Sequence, residues 1–347
     1  MRTRAMDFLT PHPLQPFWNI AAAPIQTQAL EQALVLGLFD RLRRPADAAA
    51  VAKDLQLDKA ATLVWLDLLW SLDLLSRQVP ADVPDEPCYV TSPMALRHFV
   101  DGSSENCTQG WLYRARFLAR FAGQWEALLR HGFDPQGQAA PKGNWAQAAR
   151  EQIGQEQRAV TVPAVLGLMD TLPPMPETGR LLDLGGGPGH VSIALAQRLP
   201  GWHGVVCDQP GTAEVAQENI QSAGLADRLQ ALGCDLNTDG IGSGYDLIWC
   251  SAVLHFLSDP HALVRKASEA LNPGGLLLMA HAEQSDDPAI AARVLPFYGT
   301  VALRGNQLPR PGDIARMMAD GGLTDIQSLG RVDFPMAPVW LHMGRRP

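Results

Sequence analysis

The sequence has little that would tie it to a membrane, a metal or a nucleic acid. No stretch approaches the roughly 18 uncharged apolar residues of a membrane-spanning helix. The segment Met1–Asn19, with Pro11, Pro13 and Pro16, holds no apolar run of leader length. The five cysteines, Cys88, Cys107, Cys207, Cys234 and Cys250, include no C-x-x-C pair, so the common zinc and dithiol signatures are missing and no metal is expected. Three of them lie in apolar segments and read as small core residues. These absences point to a reducing, cytoplasmic setting. Lys and Arg number 28 against 36 Asp and Glu, a net charge of −8, which disfavours a sizeable phosphate-binding surface. No repeat of solenoid length is visible.

What is present is enough apolar material, 46% of 347 residues, to bury about two cores at roughly 100–200 residues each. Residues 25–40 read as a helix with a broad apolar face from Leu30, Ala33, Leu34, Leu36, Leu38 and Phe39. A second helix is expected over 46–55. Asp58 is placed to cap a third over Lys59–Ser76. After a Pro-rich turn at 80–87, Tyr89–Thr91 reads as a short strand, and this order of helices followed by a β wing resembles a winged helix. A DNA-reading helix needs polar and basic groups toward the bases. The third helix offers Lys59 and then Asp67 and Asp73, with Leu63, Val64, Trp65, Leu66, Leu68, Leu69 and Trp70 almost surrounding its axis. Such a helix belongs in a core or a subunit interface.

Residues 104–170 read as further helices, broken near 131–144 and rich in aromatics: Trp111, Phe117, Phe121, Trp125 and Trp145. From Leu181 the texture changes. Short β-like runs (Arg180–Leu184, Gly204–Cys207, Leu229–Cys234, Asp246–Cys250, Leu276–His281) alternate with helical patterns such as His190–Leu199 and Ala213–Ala223. That alternation indicates a parallel sheet covered by helices.

The chemistry begins where the first of these strands ends, at Asp183-Leu-Gly-Gly-Gly-Pro-Gly189. Glycines there let backbone approach a ligand, and the following helix offers free N–H groups. The dinucleotide fingerprint G-x-G-x-x-G fails in both registers, because its third glycine falls on His190 or Ser192. What fits is Gly185-x-Gly187-x-Gly189 behind Asp183. Asp208 follows the second strand, 19 residues after Gly189, where a carboxylate can take both ribose hydroxyls. Asp235 follows the third strand, in reach of an adenine amino group. One Asp after a strand serves equally as a helix cap. Three such features in order point to an adenosine-bearing cofactor.

With these motifs, residues 181–330 resemble class I S-adenosylmethionine-dependent methyltransferases. Nearly the whole chain is similar to the small-molecule O-methyltransferases that include caffeic acid and hydroxyindole O-methyltransferases. The resemblance implies an α/β fold: a Rossmann-like catalytic domain over 171–347, a mainly α winged-helix-like dimerisation domain over 1–103, and a helical linker over 104–170 that contributes to the acceptor pocket. It implies S-adenosylmethionine as cofactor, held by Asp183, Gly185, Gly187, Gly189, Asp208, Gln209, Asp235, Leu236 and Ser251, with Ser251 standing where plant members have a lysine. A homodimer and a small-molecule methyl acceptor follow from the same resemblance, with neither nucleic acid nor membrane as partner.

A hydroxyl nucleophile must lose its proton, and histidine suits that work. His255, in Leu254-His-Phe-Leu-Ser-Asp259, matches the family's catalytic base in an L-H-D-W-x-D pattern, of which Leu254, His255 and Asp259 remain; read without the family, it is equally a residue that caps or packs a helix start. The family's two acids that orient this base have no counterpart here: His281 stands at the first position and Leu308 at the second. Glu283, Asp259 and His281 are the candidate replacements; alternatively the acceptor is itself acidic or a thiol. Trp145, Arg158, His281, Phe297 and Tyr298 are the candidate acceptor contacts, Arg158 for an acceptor carboxylate, although each has an ordinary reading as core or solvated face. The sequence leaves open methylation of sulfur or nitrogen, and a cofactor-holding protein without turnover.

Overall fold

Pro16 opens the first helix, Gln15–Val35, well before residue 25, where its apolar face begins. The pyrrolidine lies in the first turn, where the missing N–H would have no intrahelical partner in any case. A left-handed Gly37 then ends the helix and separates it from a short turn of helix at Leu38–Arg41. The computed structural model describes residues 11–79, 87–133, 145–303, 308–334 and 337–347. The residues expected to form the Pro-rich turn, apart from Pro87, lie outside these, as do 134–144 of the expected break.

The chain divides into two units between Thr108 and Gln109. In the first, Asp47 and Asp58 cap helices Ala48–Leu55 and Lys59–Ser71 through the backbone N–H groups of Ala50 and Ala61. The second of these helices stops short of Ser76. Asp73 takes a left-handed backbone (φ 58°), and the chain continues as strand β2, Leu75–Gln78. With β1, Ala46–Asp47, and β3, Cys88–Thr91, it forms a small antiparallel sheet in the order β1-β3-β2. The Lys59–Ser71 helix buries Thr62, Leu66 and Leu69, while Val64 and Trp70 stay exposed.

The second unit is built on seven strands: β4 (Gly179–Leu184), β5 (Trp202–Asp208), β6 (Leu229–Gly233), β7 (Tyr245–Ser251), β8 (Leu271–His281), β9 (Thr324–Asp333) and β10 (Pro338–Arg345). Their order is β6-β5-β4-β7-β8-β10-β9. The first five pair in parallel, and the β9–β10 hairpin adds an antiparallel edge that sequence periodicity did not announce. β8 starts earlier than expected: Asn272–Gly275 lies within its bounds, at a register irregularity against β7. Alternate residues feed two cores. Leu182, Leu184, Ile248, Cys250, Leu277 and Met279 pack on one face, and Leu181, Val206, Leu247, Trp249 and Leu278 on the other. Burial on both faces is why these strands read as continuous apolar runs.

One expectation fails. Cys207 and Cys234, read as core thiols, are joined in a disulfide. The cause is register: Asp208 pairs with Gly233 across β5 and β6, so the two flanking cysteines are diagonal neighbours with Cα atoms 6.1 Å apart. Cys88, Cys107 and Cys250 are free.

Candidate active site

β4 and β7 lie side by side, with Leu184 opposite Cys250. β5 and β6 extend the sheet on one side of them and β8 on the other. Chains leaving two such strands diverge, and a crevice opens at their carboxyl ends. The glycine turn leaves β4 there, and the segment carrying His255 leaves β7.

Gly185, Gly187 and Gly189 all adopt left-handed backbone, with φ of 67°, 60° and 79°. A side chain at Gly185 would also collide with Val253. Gly189 then starts the helix His190–Arg198. Asp183 lies beneath this turn, 2% exposed, accepting the Ser192 hydroxyl at 2.9 Å. Burial, reinforced by the charge of Asp208, pushes its carboxyl up to about 7 against the opposing Ser192 hydrogen bond.

Asp208 reaches from the end of β5 to the turn. Its carboxylate accepts the N–H of Gly187 at 2.8 Å and that of Gln209 at 2.7 Å. Burial raises its pKa, and those backbone donors act in the other direction. Gln209 precedes helix Pro210–Ser222, where its backbone N–H and carbonyl are hydrogen-bonded. Asp235 is exposed. Asn237 donates to it from backbone and side chain at 2.9 and 3.0 Å, which holds its carboxyl below the usual range. Asn237 also accepts from Ser258 at 2.9 and 3.0 Å, so one side chain ties the Asp235 loop to the segment after His255. Leu236 is buried, and its carbonyl accepts from Lys266. Ser251 is the last residue of β7, half-buried, followed by Ala252 at φ 53°. A non-glycine residue in this region is uncommon and concentrates at functional sites.

The helical stretch after Trp145 includes two π-helical turns, Ala149–Ile153 and Gln157–Thr161. The second turns Gln157 onto the glycine turn, where its amide donates to the Gly186 carbonyl at 3.0 Å and accepts from the His190 N–H at 3.1 Å. Arg158, expected toward an acceptor, instead donates to His190 Nε2 at 2.8 Å, at the same turn. Burial and the adjacent guanidinium lower the His190 pKa to about 4.

His255 sits in a short 3₁₀ turn, Leu254–Phe256, and is 6% exposed. Desolvation lowers its pKa to about 4. Its ring stands edge-on to Tyr298 at 5.4 Å between centroids and against Phe256 at 4.1 Å, and Phe256 in turn meets Trp145 edge-on at 5.3 Å. Tyr298 is buried, its hydroxyl pushed up to about 12 chiefly by desolvation. It interacts electrostatically with Arg114 and Glu156, which form a bidentate ion pair at 2.8 and 2.9 Å. Phe297 packs with Val294, Tyr298 and Leu308.

The candidate acids go elsewhere. Glu283 is bonded to His342 at 2.8 Å, Asp259 caps helix Pro260–Ala270, and Leu308 is buried. His281 is buried beside Cys250 (3.8 Å), with Nδ1 unpaired. Among the described residues no cluster suits a metal ion.

A family model described as a methyltransferase domain matches residues 182–277, which run from β4 through the glycine turn and the acids into β8. Residues 182–277 are thus similar to methyltransferase domains. The chain is 30% identical to an L-tyrosine C(3)-methyltransferase of Streptomyces lavendulae over 46% of its own length and 44% of that protein, so it spans less than half of that relative. It is 27% identical to the tetracenomycin polyketide synthesis 8-O-methyl transferase TcmO of Streptomyces glaucescens over 92% of its length and 93% of the relative. Its fold matches human N-acetylserotonin methyltransferase, solved in complex with S-adenosylmethionine, with a TM-score of 0.73 at 20% identity over 98% and 99% of the two chains.

Sequence reasoning passed over Gln157, Asn237, Arg114 and Glu156. A glutamine and an arginine adjacent in a mild helix gave no periodic signal, because a π-helical turn shifts which residues face inward. Arg114 and Glu156 are 42 residues apart.

Proposed function

We propose that this protein transfers the methyl group of S-adenosylmethionine to a hydroxyl of a small aromatic or polyketide-like metabolite, with His255 as the base. The observation that carries the reading is the position of His255, buried at the end of the strand next to the glycine turn and faced by aromatic rings. The cofactor fits the residues present. Gly185, Gly187 and Gly189 leave room for close backbone approach, and Asp183 braces the turn from beneath. Asp208 offers a carboxylate to the ribose hydroxyls, with Gln209 beside it. Asp235 and Leu236 flank the adenine. Ser251, with Arg158 and Gln157, serves the amino-acid end, where a guanidinium suits a carboxylate. When bound, the cofactor supplies a methyl group on a cationic sulfur.

The chain's own part is alignment and one proton. His255, neutral above about pH 4, accepts the hydroxyl proton. Asp259 and Glu283 have other partners, so neither of these two carboxylates is free to stabilise the imidazolium. A base of this kind favours an acceptor that is already acidic, such as a phenol conjugated to a carbonyl. Trp145, Phe297, Tyr298 and His281 are the side chains we assign to the acceptor side.

The protein acts on this reading as a cytoplasmic homodimer. Phe17, Trp18 and Ile20 on the first helix are 65%, 63% and 72% exposed, an apolar surface typical of an interface. No described helix is long and apolar enough to cross a membrane, and the Lys59–Ser71 helix, whose charged residues are Lys59 and Asp67, presents no basic face to a nucleic acid.

A second reading, transfer to carbon, nitrogen or sulfur, has support in the tyrosine C-methyltransferase relative. Methyl-labelled cofactor incubated with phenol, thiol, amine and electron-rich arene panels separates the two. Label on phenols supports the proposal, and label confined to another panel overturns it.

A further inference from the structure

The dipeptide Cys-Asp occurs twice, at 207–208 and 234–235, and each time the aspartate is one of the two acids assigned to the cofactor. The two cysteines are bonded to each other. The bond lies at the last rung of the β5–β6 ladder, where the backbone N–H of Cys234 donates to the Asp208 carbonyl at 2.8 Å. One step inward, the Cys207 carbonyl accepts the N–H of Gly185 at 2.7 Å, the first residue of the glycine turn. A single covalent link therefore lies directly beneath three parts of the cofactor pocket: the glycine turn, the ribose acid and the adenine acid. Beyond that rung the Asp235 loop is held by side chains at its surface, through Asn237, Asp239 and Lys266.

We propose that Cys207 and Cys234 form a redox latch on the cofactor pocket. Closed, the latch fixes the separation of Asp208 and Asp235 and tightens cofactor binding. Open, it frees the Asp235 loop and weakens binding. The proposal rests on the reading that these two acids hold the cofactor. In the opening step a dithiol reductant attacks one sulfur as thiolate, a mixed disulfide forms, and the reductant's second thiol displaces it. The protein S–S bond breaks, two protein thiols form, and the reductant leaves as its own cyclic disulfide, having given two electrons and two protons. Oxidation by a small disulfide reverses the exchange. In a reducing compartment a bond of this kind acts as a sensor rather than a permanent staple.

Both cysteines are buried, at 0% and 4% exposed, so a reductant reaches them only when the strand ends part. Coupling between two sites is reciprocal. If the closed latch tightens the cofactor by some factor, bound cofactor must protect the disulfide by the same factor. A staple that only adds global stability carries no such equality at this site.

The test uses the full-length protein equilibrated in dithiothreitol buffers of graded oxidised-to-reduced ratio, with thiols counted by alkylation and mass spectrometry. S-adenosylhomocysteine affinity is measured by titration calorimetry at each end. The expected result is binding about tenfold weaker in the reduced protein, and a reduction midpoint displaced by the same factor when S-adenosylhomocysteine is saturating. The double variant C207S/C234S should bind at the reduced value whatever the buffer. Equal affinity within twofold in both states, or an air-oxidised protein with five free thiols, overturns the latch. Failure of both states to bind S-adenosylhomocysteine overturns the cofactor assignment, and the latch with it.

Discussion

The carboxylate of Asp208 accepts the amide hydrogen of Gly187 at 2.8 Å. The acid assigned to the ribose and the turn assigned to the cofactor's approach are therefore tied directly to each other. Its other oxygen accepts the neighbouring Gln209 N–H, and a carboxylate oxygen has a further lone pair for a hydroxyl donor. Asp208→Asn should weaken S-adenosylhomocysteine binding by roughly 10- to 100-fold, the scale of hydrogen bonds to a charged group, with little change in melting temperature. Calorimetry and a thermal scan read both, and affinity within twofold of wild type removes Asp208 from the site.

Gly185 tests the turn itself. Gly185→Ala meets both a left-handed backbone at φ 67° and the side chain of Val253. The backbone conformation alone costs about 1–3 kcal/mol. Pairing it with Val253→Ala should therefore recover part of the lost cofactor affinity and leave a deficit. Complete recovery would mean that the collision, and not the backbone, explains the glycine.

Arg158 and His255 should separate kinetically. Arg158→Ala should raise KM for S-adenosylmethionine about tenfold or more while KM for the acceptor stays nearly unchanged, because the guanidinium is at the glycine turn beside His190. A rise confined to the acceptor KM would return Arg158 to the role its sequence position first suggested.

Acid should destabilise the fold in a defined window. His190 and His255, with pKa values lowered to about 4, and His281, lowered to about 3, are neutral in the folded protein. Each takes up a proton near pH 6.5 once unfolded. The unfolded chain thus binds more protons at these sites between about pH 4 and 6.5, so their contribution to stability is full above 6.5 and falls as pH drops through that window. Asp183, raised to about 7, holds an extra proton when folded and opposes one of the three. Urea midpoints at pH 7 and pH 5 check the sign, and His281→Gln should flatten the difference. A slope unaltered by that substitution contradicts the assignment.

Much of this was legible in the sequence because glycine, aspartate and strand periodicity act locally. The parallel strands, the glycine turn, the Asp47 and Asp58 regions and the position of His255 each follow from a few consecutive residues. The first helix was read short because residues 15–24 bury almost nothing and so carry no periodic signal. The His342–Glu283 contact joins residues 59 positions apart, and β10 joins the sheet through its antiparallel pairing with β8, far back in the sequence. The Cys207–Cys234 bond was hidden for a similar reason. Only the register of β5 against β6 brings the two together, although the repeated Cys-Asp dipeptide was a visible hint. Which way Arg158 points depended on a π-helical turn that no spacing rule anticipates.

The central proposal is that His255 removes a proton from an acceptor hydroxyl without help from Asp259 or Glu283. Its most direct measurement is kcat/KM against acceptor pKa for a series of substituted phenols, with wild type and His255→Ala compared at one pH and the cofactor saturating. The account predicts a loss of about 100-fold or more for weakly acidic phenols, shrinking toward unity for phenols already ionised, with S-adenosylhomocysteine affinity unchanged. A loss that is uniform across the series, or none at all, would contradict it.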